Sequence, residues 1–251
     1  VGPEGAGQAL AKAEDAVGGH SAAAALPAGY LTTLYYECND LERARQMISG
    51  RTAIAMQACP VGSLLRYCRG AARLFAHEGD VSSARVILEE ARYVATPRRW
   101  LRVRSGCDAE AVRLHLQRGE IGHARQLASA LEALMPARHP SPAGSFLETW
   151  TSRCTVQARL AMATGRPGEA VTVLEDLMTR LAGRMAYQEA SVALLLALAH
   201  EQSGRRSAAF TALQGALDFA QRTGMVNGFI DEGEPMQALL GAWLQHSPQA
   251  T

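Results

Sequence analysis

Arg73, Arg113 and Arg159 stand at matching places in the chain, each six residues before a glycine that ends an apolar, helix-like stretch. Arg69 precedes Arg73 by four residues and Arg66 precedes Arg69 by three, the spacing that puts side chains on one helix face. Guanidinium groups so arranged suit one kind of chemistry. Their planar forks donate paired hydrogen bonds to carboxylate or phosphate oxygens. The five arginines are therefore candidate binding residues, and the expected occupant is an anionic or multiply hydroxylated effector or an acidic peptide. That reading fails if the arginines face outward or are paired with the chain's own Asp and Glu. A merely solvated face is the competing reading, because arginine is common here: Lys12 is the single lysine among 25 basic residues.

Other chemistry finds little support. The phosphate loop G-x-x-x-x-G-K-[ST] is missing, and the one lysine lies in a different context. His200-Glu201 is not followed by a second histidine at the spacing a zinc-binding helix needs. The seven histidines are scattered along the chain, and His115 and His200 each fall four residues before a turn, where a packing side chain belongs. Arg98, Arg99, Arg102 and Arg104 surround Trp100 like a nucleic-acid patch, but a net charge of +1 favours a solvated helix start. Cys38, Cys59, Cys68, Cys107 and Cys154 form no C-x-x-C pair and are expected to be free packing thiols in a reduced, cytoplasmic setting. No catalytic residue, metal site or cofactor is expected, and the chain is read as not an enzyme. Neither a signal peptide nor a long apolar run is present, so no membrane partner is expected.

The elements that must position the arginines follow from a repeat. Asn39, Gly79, Gly119, Gly165 and Gly204 are each followed five residues later by alanine, at intervals of 40, 40, 46 and 39 residues. A period in that range marks stacked helical units that bury their apolar faces only against neighbours. The turn residue can adopt the left-handed conformation that closes a helix, and an acid after it, as in Gly79-Asp80, caps the next. The alanine permits close approach of two helices. Twelve residues after each turn comes a small or apolar side chain in every unit but the first, which has Arg51. The spacing predicts an all-α, right-handed superhelix of antiparallel helix pairs, about five pairs plus a C-terminal cap, with both helices of each pair about 16 to 20 residues long. Residues 1–20 are expected to be an extension with a short helix, 21–224 the repeats, and 225–251 the capping helices and tail. Residues 136–144, PARHPSPAG, account for the 46-residue interval as a loop insertion. First helices line the inside of such a superhelix, which would put the arginines on its concave face.

Two stretches narrow the class. Residues 28–48, AGYLTTLYYECNDLERARQMI, and 229–240, FIDEGEPMQALL, resemble the opening and closing signatures of the TPR-like central sensor domain of large MalT-type, LuxR-family, ATP-dependent bacterial transcriptional regulators. The resemblance spans roughly residues 20–245 and implies effector sensing, protein interaction and self-association. It also implies an upstream domain, outside these residues, as the place for ATP, and a downstream helix-turn-helix as the place for DNA. A start without methionine is consistent with a piece of something longer. No ligand-contact residue carries over from the family. The alternative is a stand-alone TPR-type peptide-binding scaffold unrelated to transcription.

Overall fold

Left-handed backbone recurs at every repeat turn: φ is 59° at Asn39, 85° at Gly79, 72° at Gly119, 74° at Gly165 and 72° at Gly204. The computed structural model describes residues 3–19, 21–135 and 145–246, and the segment read as a loop insertion, 136–144, lies outside the described residues. The helices are α1 (Pro3–Val17), α2 (Ala22–Glu37), α3 (Leu41–Ile48), α4 (Thr52–Ala58), α5 (Val61–His77), α6 (Val81–Ala95), α7 (Leu101–Gln117), α8 (Ile121–Leu134), α9 (Ser145–Ala163), α10 (Pro167–Leu181), α11 (Ala186–Gln202), α12 (Arg206–Thr223), α13 (Asn227–Ile230) and α14 (Glu234–His246). Helices α2 and α3, α5 and α6, α7 and α8, α9 and α10, and α11 and α12 pack as pairs. Their first members α2, α5, α7, α9 and α11 pack side by side in chain order, giving a TPR-like helical solenoid.

The repeat positions do what their residue types require. Asp80 accepts a hydrogen bond from the Ser83 amide at 3.0 Å, and Asp40 accepts one from Arg43 at 3.2 Å, each capping a second helix. Ala44, Ala84, Ala124, Ala170 and Ala209 are wholly buried at the helix crossings. Between α2 and α5 contact is closer still. A Cβ on Gly29 would lie 2.6 Å from the Ser63 carbonyl oxygen, and the Ser63 hydroxyl donates to the Leu26 carbonyl at 2.6 Å.

Pair one departs from the expected pattern. Its second helix, α3, is only 8 residues long, because Gly50 turns left-handed (φ 68°) and α4 begins after it. Arg51, the exception in the repeat, stands at that break and folds inward. Its Nε donates to the Gly19 carbonyl at 3.0 Å, its Nη1 to the Gln46 carbonyl at 2.8 Å, and its Nη2 pairs with Glu14. A large donor at a small-residue position thus satisfies carbonyls that the shortened helix leaves open.

The cysteines also divide. Cys59, Cys68, Cys107 and Cys154 are buried, and burial pushes their thiols up, Cys107 to about 12 and Cys154 to about 11. Cys38 is instead exposed, beside the Thr223 carbonyl.

That last contact belongs to a larger return. After the left-handed Gly224, the chain comes back to the first repeat: the Val226 amide donates to the Glu37 carbonyl at 2.7 Å, and Asn227 Nδ2 donates to the Tyr36 carbonyl at 2.7 Å. Helix α14 meanwhile seals the last pair, with Met236 and Leu239 buried among Leu194, Leu198 and Leu213. The terminal segment therefore caps one end and reaches the other.

Candidate functional site

The inner face holds two adjoining cavities, of about 90 and about 250 Å³. Arg66, Arg69 and Arg73 reach them from α5, Arg113 from α7 and Arg159 from α9. These five side chains share the lumen. The charge they present is different from the expected one.

Three of the five are occupied by the chain's own carboxylates. Arg73 contacts Glu37 at 2.9 Å, Glu110 at 3.1 Å and Asp231 at 3.3 Å. Arg113 holds Glu110 at 2.6 Å and donates to the Asp231 carbonyl at 3.3 Å. Arg159 grips Glu232 through both fork nitrogens, one of them at 2.8 Å. An open anion ladder at Arg73, Arg113 and Arg159 is thus corrected to an internal ion-pair network. Glu37 and Glu110 come from α2 and α7 themselves, and the return of residues 225–233 adds Asp231 and Glu232 to the lumen.

Two tyrosines complete the network. Tyr36 Oη donates to Asp231 Oδ1 at 2.5 Å, and Tyr187 Oη donates to Glu37 Oε1 at 2.5 Å. Burial, reinforced by the carboxylate each hydroxyl faces, holds both phenols protonated. For Glu110, burial opposes the charge, but Arg113, Arg73 and Arg69 outweigh it and keep the carboxyl well below the usual range. Glu232 is likewise lowered, with burial outweighed chiefly by Arg159.

Arg66 and Arg69 are held more loosely. Arg66 lies 3.5 Å from Glu148 and stacks on the Tyr30 ring at 4.9 Å, while the same Glu148 accepts a 2.6 Å hydrogen bond from Arg102. Arg69 reaches Glu110 only at 3.9 Å, and its side chain is 33% exposed. These two are the guanidiniums with capacity left for something else.

The other charged clusters are engaged largely within the chain. Around Trp100, Arg98 stacks on the ring at 4.8 Å, Arg102 is held by Glu148, and Arg104 lies 3.4 Å from the buried Asp108. Scattered in sequence, His115 and His123 stack at 5.3 Å, and with Glu120 they bring ligand-type atoms within 4.8 Å of one another. Glu120 is already engaged by His115 at 2.6 Å, Arg85 at 2.5 Å and Arg118 at 3.2 Å.

Sequence reasoning missed Tyr36, Glu37, Glu110, Tyr187, Asp231 and Glu232 as members of the site. A signal existed for two of them, since Asp231 and Glu232 are the acids of the FIDEGE stretch, but nothing in sequence joined that stretch to the arginines.

The family model for the MalT-like TPR region matches residues 5–246. The chain belongs to this family. No curated protein matches it significantly. Among solved structures it is similar to the crystal structure of BtubC (BKLC) from P. vanneervenii, at 13% identity and a TM-score of 0.54, over 88% of this chain and 90% of that one. At that identity the likeness is one of fold. Among the described residues no helix is long and apolar enough to cross a membrane.

Proposed function

We propose that this region senses a small effector and couples its binding to self-association, as the central domain of a LuxR/MalT-type transcriptional activator. The observation that carries the reading is the origin of the larger cavity's wall. Tyr30 and Leu34 come from α2, Arg66 and Arg69 from α5, Tyr187 from α11 and Met225 from the return segment. An occupant there touches the first and last repeats at once. Its binding energy then differs between a closed and an opened superhelix, and that difference is what can be passed to neighbouring domains or to a second copy. Membership in the MalT-like family supports the assignment. In this reading no reaction is assigned to these residues, the domain works in the cytoplasm, and ATP and promoter DNA are handled by flanking domains of a parent regulator.

The test is a metabolite screen read by melting temperature, followed by sizing of the protein with each hit. A compound that raises the melting point, shifts self-association and loses its effect in the cavity-filling variant Leu34→Trp supports the reading. Peptides that bind the groove while no metabolite does would replace it with the scaffold alternative. ATP hydrolysis by this chain alone, or salt-sensitive, sequence-selective DNA binding, would overturn the division of labour.

A further inference from the structure

We propose that the effector is a small monoanion, a carboxylic acid with a short apolar or aromatic body, seated in the 250 Å³ cavity with its carboxylate on Arg69 and Arg66. The proposal rests on the effector-sensing reading and adds the ligand's chemistry to it.

The first argument is charge. Arg66, Arg69, Arg73, Arg102, Arg113 and Arg159 share the carboxylates of only Glu37, Glu110, Glu148, Asp231 and Glu232. The network therefore holds one guanidinium more than it has carboxylates. By contacts the surplus falls where Arg66 and Arg102 share the single Glu148, and beside it Arg69 is the guanidinium held at the longest distance. Glu110 sits at 2.6 Å from Arg113 and 3.1 Å from Arg73, and only at 3.9 Å from Arg69. A partly buried guanidinium without a close counter-ion carries a desolvation cost that a single bound carboxylate relieves. A second negative charge would meet Glu37 and Glu148, which line the same cavity.

The second argument is shape and lining. Beside the charged groups and the polar Thr33 and Gln188, much of the wall is apolar or aromatic: Tyr30, Leu34, Leu65, Gly70 and Met225. Such a surface takes hydrocarbon or an aromatic ring rather than a polyanion or a heavily hydroxylated chain. Its volume of about 250 Å³ lies just under the roughly 300–1,000 Å³ usual for ligand pockets, which limits the body to a few carbons or one ring. Tyr30, already stacked with Arg66, stands where a planar body would lie beside the charge it carries.

Matched pairs of probes test this on the 251-residue chain: phenylacetate, benzoate and butyrate against phenylacetamide, benzamide and butyramide, by titration calorimetry and melting. The expected result is that at least one acid binds about tenfold or more tighter than its amide, as the loss of a charged hydrogen-bond partner implies. Added salt should weaken that acid's binding. Arg69→Gln should erase the preference while leaving the melting point of the free protein near its parent value, because Arg69 makes only a long ion pair. Arg66→Gln should weaken the acid to a smaller degree. Equal affinities for acid and amide in every pair overturn the monoanion assignment, and the sensing reading then stands on the neutral binding. If no probe binds at millimolar concentration, the assignment falls as well, and the metabolite screen decides separately whether sensing falls with it.

Discussion

Tyr36 and Asp231, 195 positions apart in the chain, are joined by a 2.5 Å hydrogen bond beside the two inner cavities. The bond links the last turn of α2 to the residue that ends α13, and therefore the first repeat to the terminal cap. A solenoid ordinarily has contacts only between neighbouring units. Here the return segment adds a long-range closure, and its acids supply counter-charge for arginines contributed by three successive first helices. Closing so long a loop has an entropic cost that grows only slowly with length, so a few buried polar contacts can hold it.

Tyr36→Phe should destabilise the protein by about 1–3 kcal/mol, because Asp231 keeps its burial and loses a donor. Melting gives the magnitude. Hydrogen exchange gives the place, with faster exchange concentrated in residues 225–233 and at the end of α2. An unchanged melting point and exchange pattern would mean that the bond contributes nothing to closure.

Acid should loosen the same region. Glu110 and Glu232 have folded-state pKa values lowered by their arginines, so their stabilisation is complete above the unfolded carboxylate value of about 4.3 and is lost as pH falls through the folded values below it. Asp108 acts with the opposite sign, since burial raises its pKa and protonation relieves that burden. Urea unfolding at a series of pH values should show stability dropping below about pH 4.3. Glu232→Gln should flatten the drop; a slope identical to the parent's would remove Glu232 from the explanation.

How much of this was legible in sequence depended on range. The turns at Gly79 and Gly119 and the alanines at 84 and 124 are set by local backbone conformation and nearest-neighbour packing, so composition and spacing revealed them. The short α3 was not foreseen, although Gly50 and the misplaced Arg51 both marked the break. The five arginines line the two cavities, but their neutralisation is only partly local: Glu110 stands three residues before Arg113, whereas Asp231 and Glu232 meet Arg73 and Arg159 only through a contact that crosses the whole repeat array. Periodicity carries no information about such a return.

Ala84→Leu or Ala124→Leu should cost roughly 1–3 kcal/mol through overpacking where the two helices of a pair cross. Both alanines have no exposed surface, so added methylenes have nowhere to go without moving a backbone. Thermal melting tests each. A variant that melts like the parent would show that the helices slide apart freely, against the close crossing described above.

The combined substitution Asp231→Asn with Glu232→Gln should turn the lumen into the anion site that the arginine spacing suggests. It removes two negative charges and keeps side-chain volume nearly constant, leaving Arg73 and Arg113 with Glu37 and Glu110 and taking from Arg159 its partner Glu232. At low ionic strength the variant should be less stable than the parent, since breaking a buried ion pair from one side strands the other charge. Sulfate should then rescue it: an oxyanion can accept the paired donors that Glu232 now accepts from Arg159. The parent sets the baseline, because sulfate stabilises folded proteins generally by exclusion from their surface. The expected outcome is a steeper rise of melting temperature with sulfate in the variant than in the parent, saturating as a bound site does. Parallel curves would mean that the cap's two acids do not neutralise the arginines in solution, and that the arginine network is organised by Glu37 and Glu110 alone.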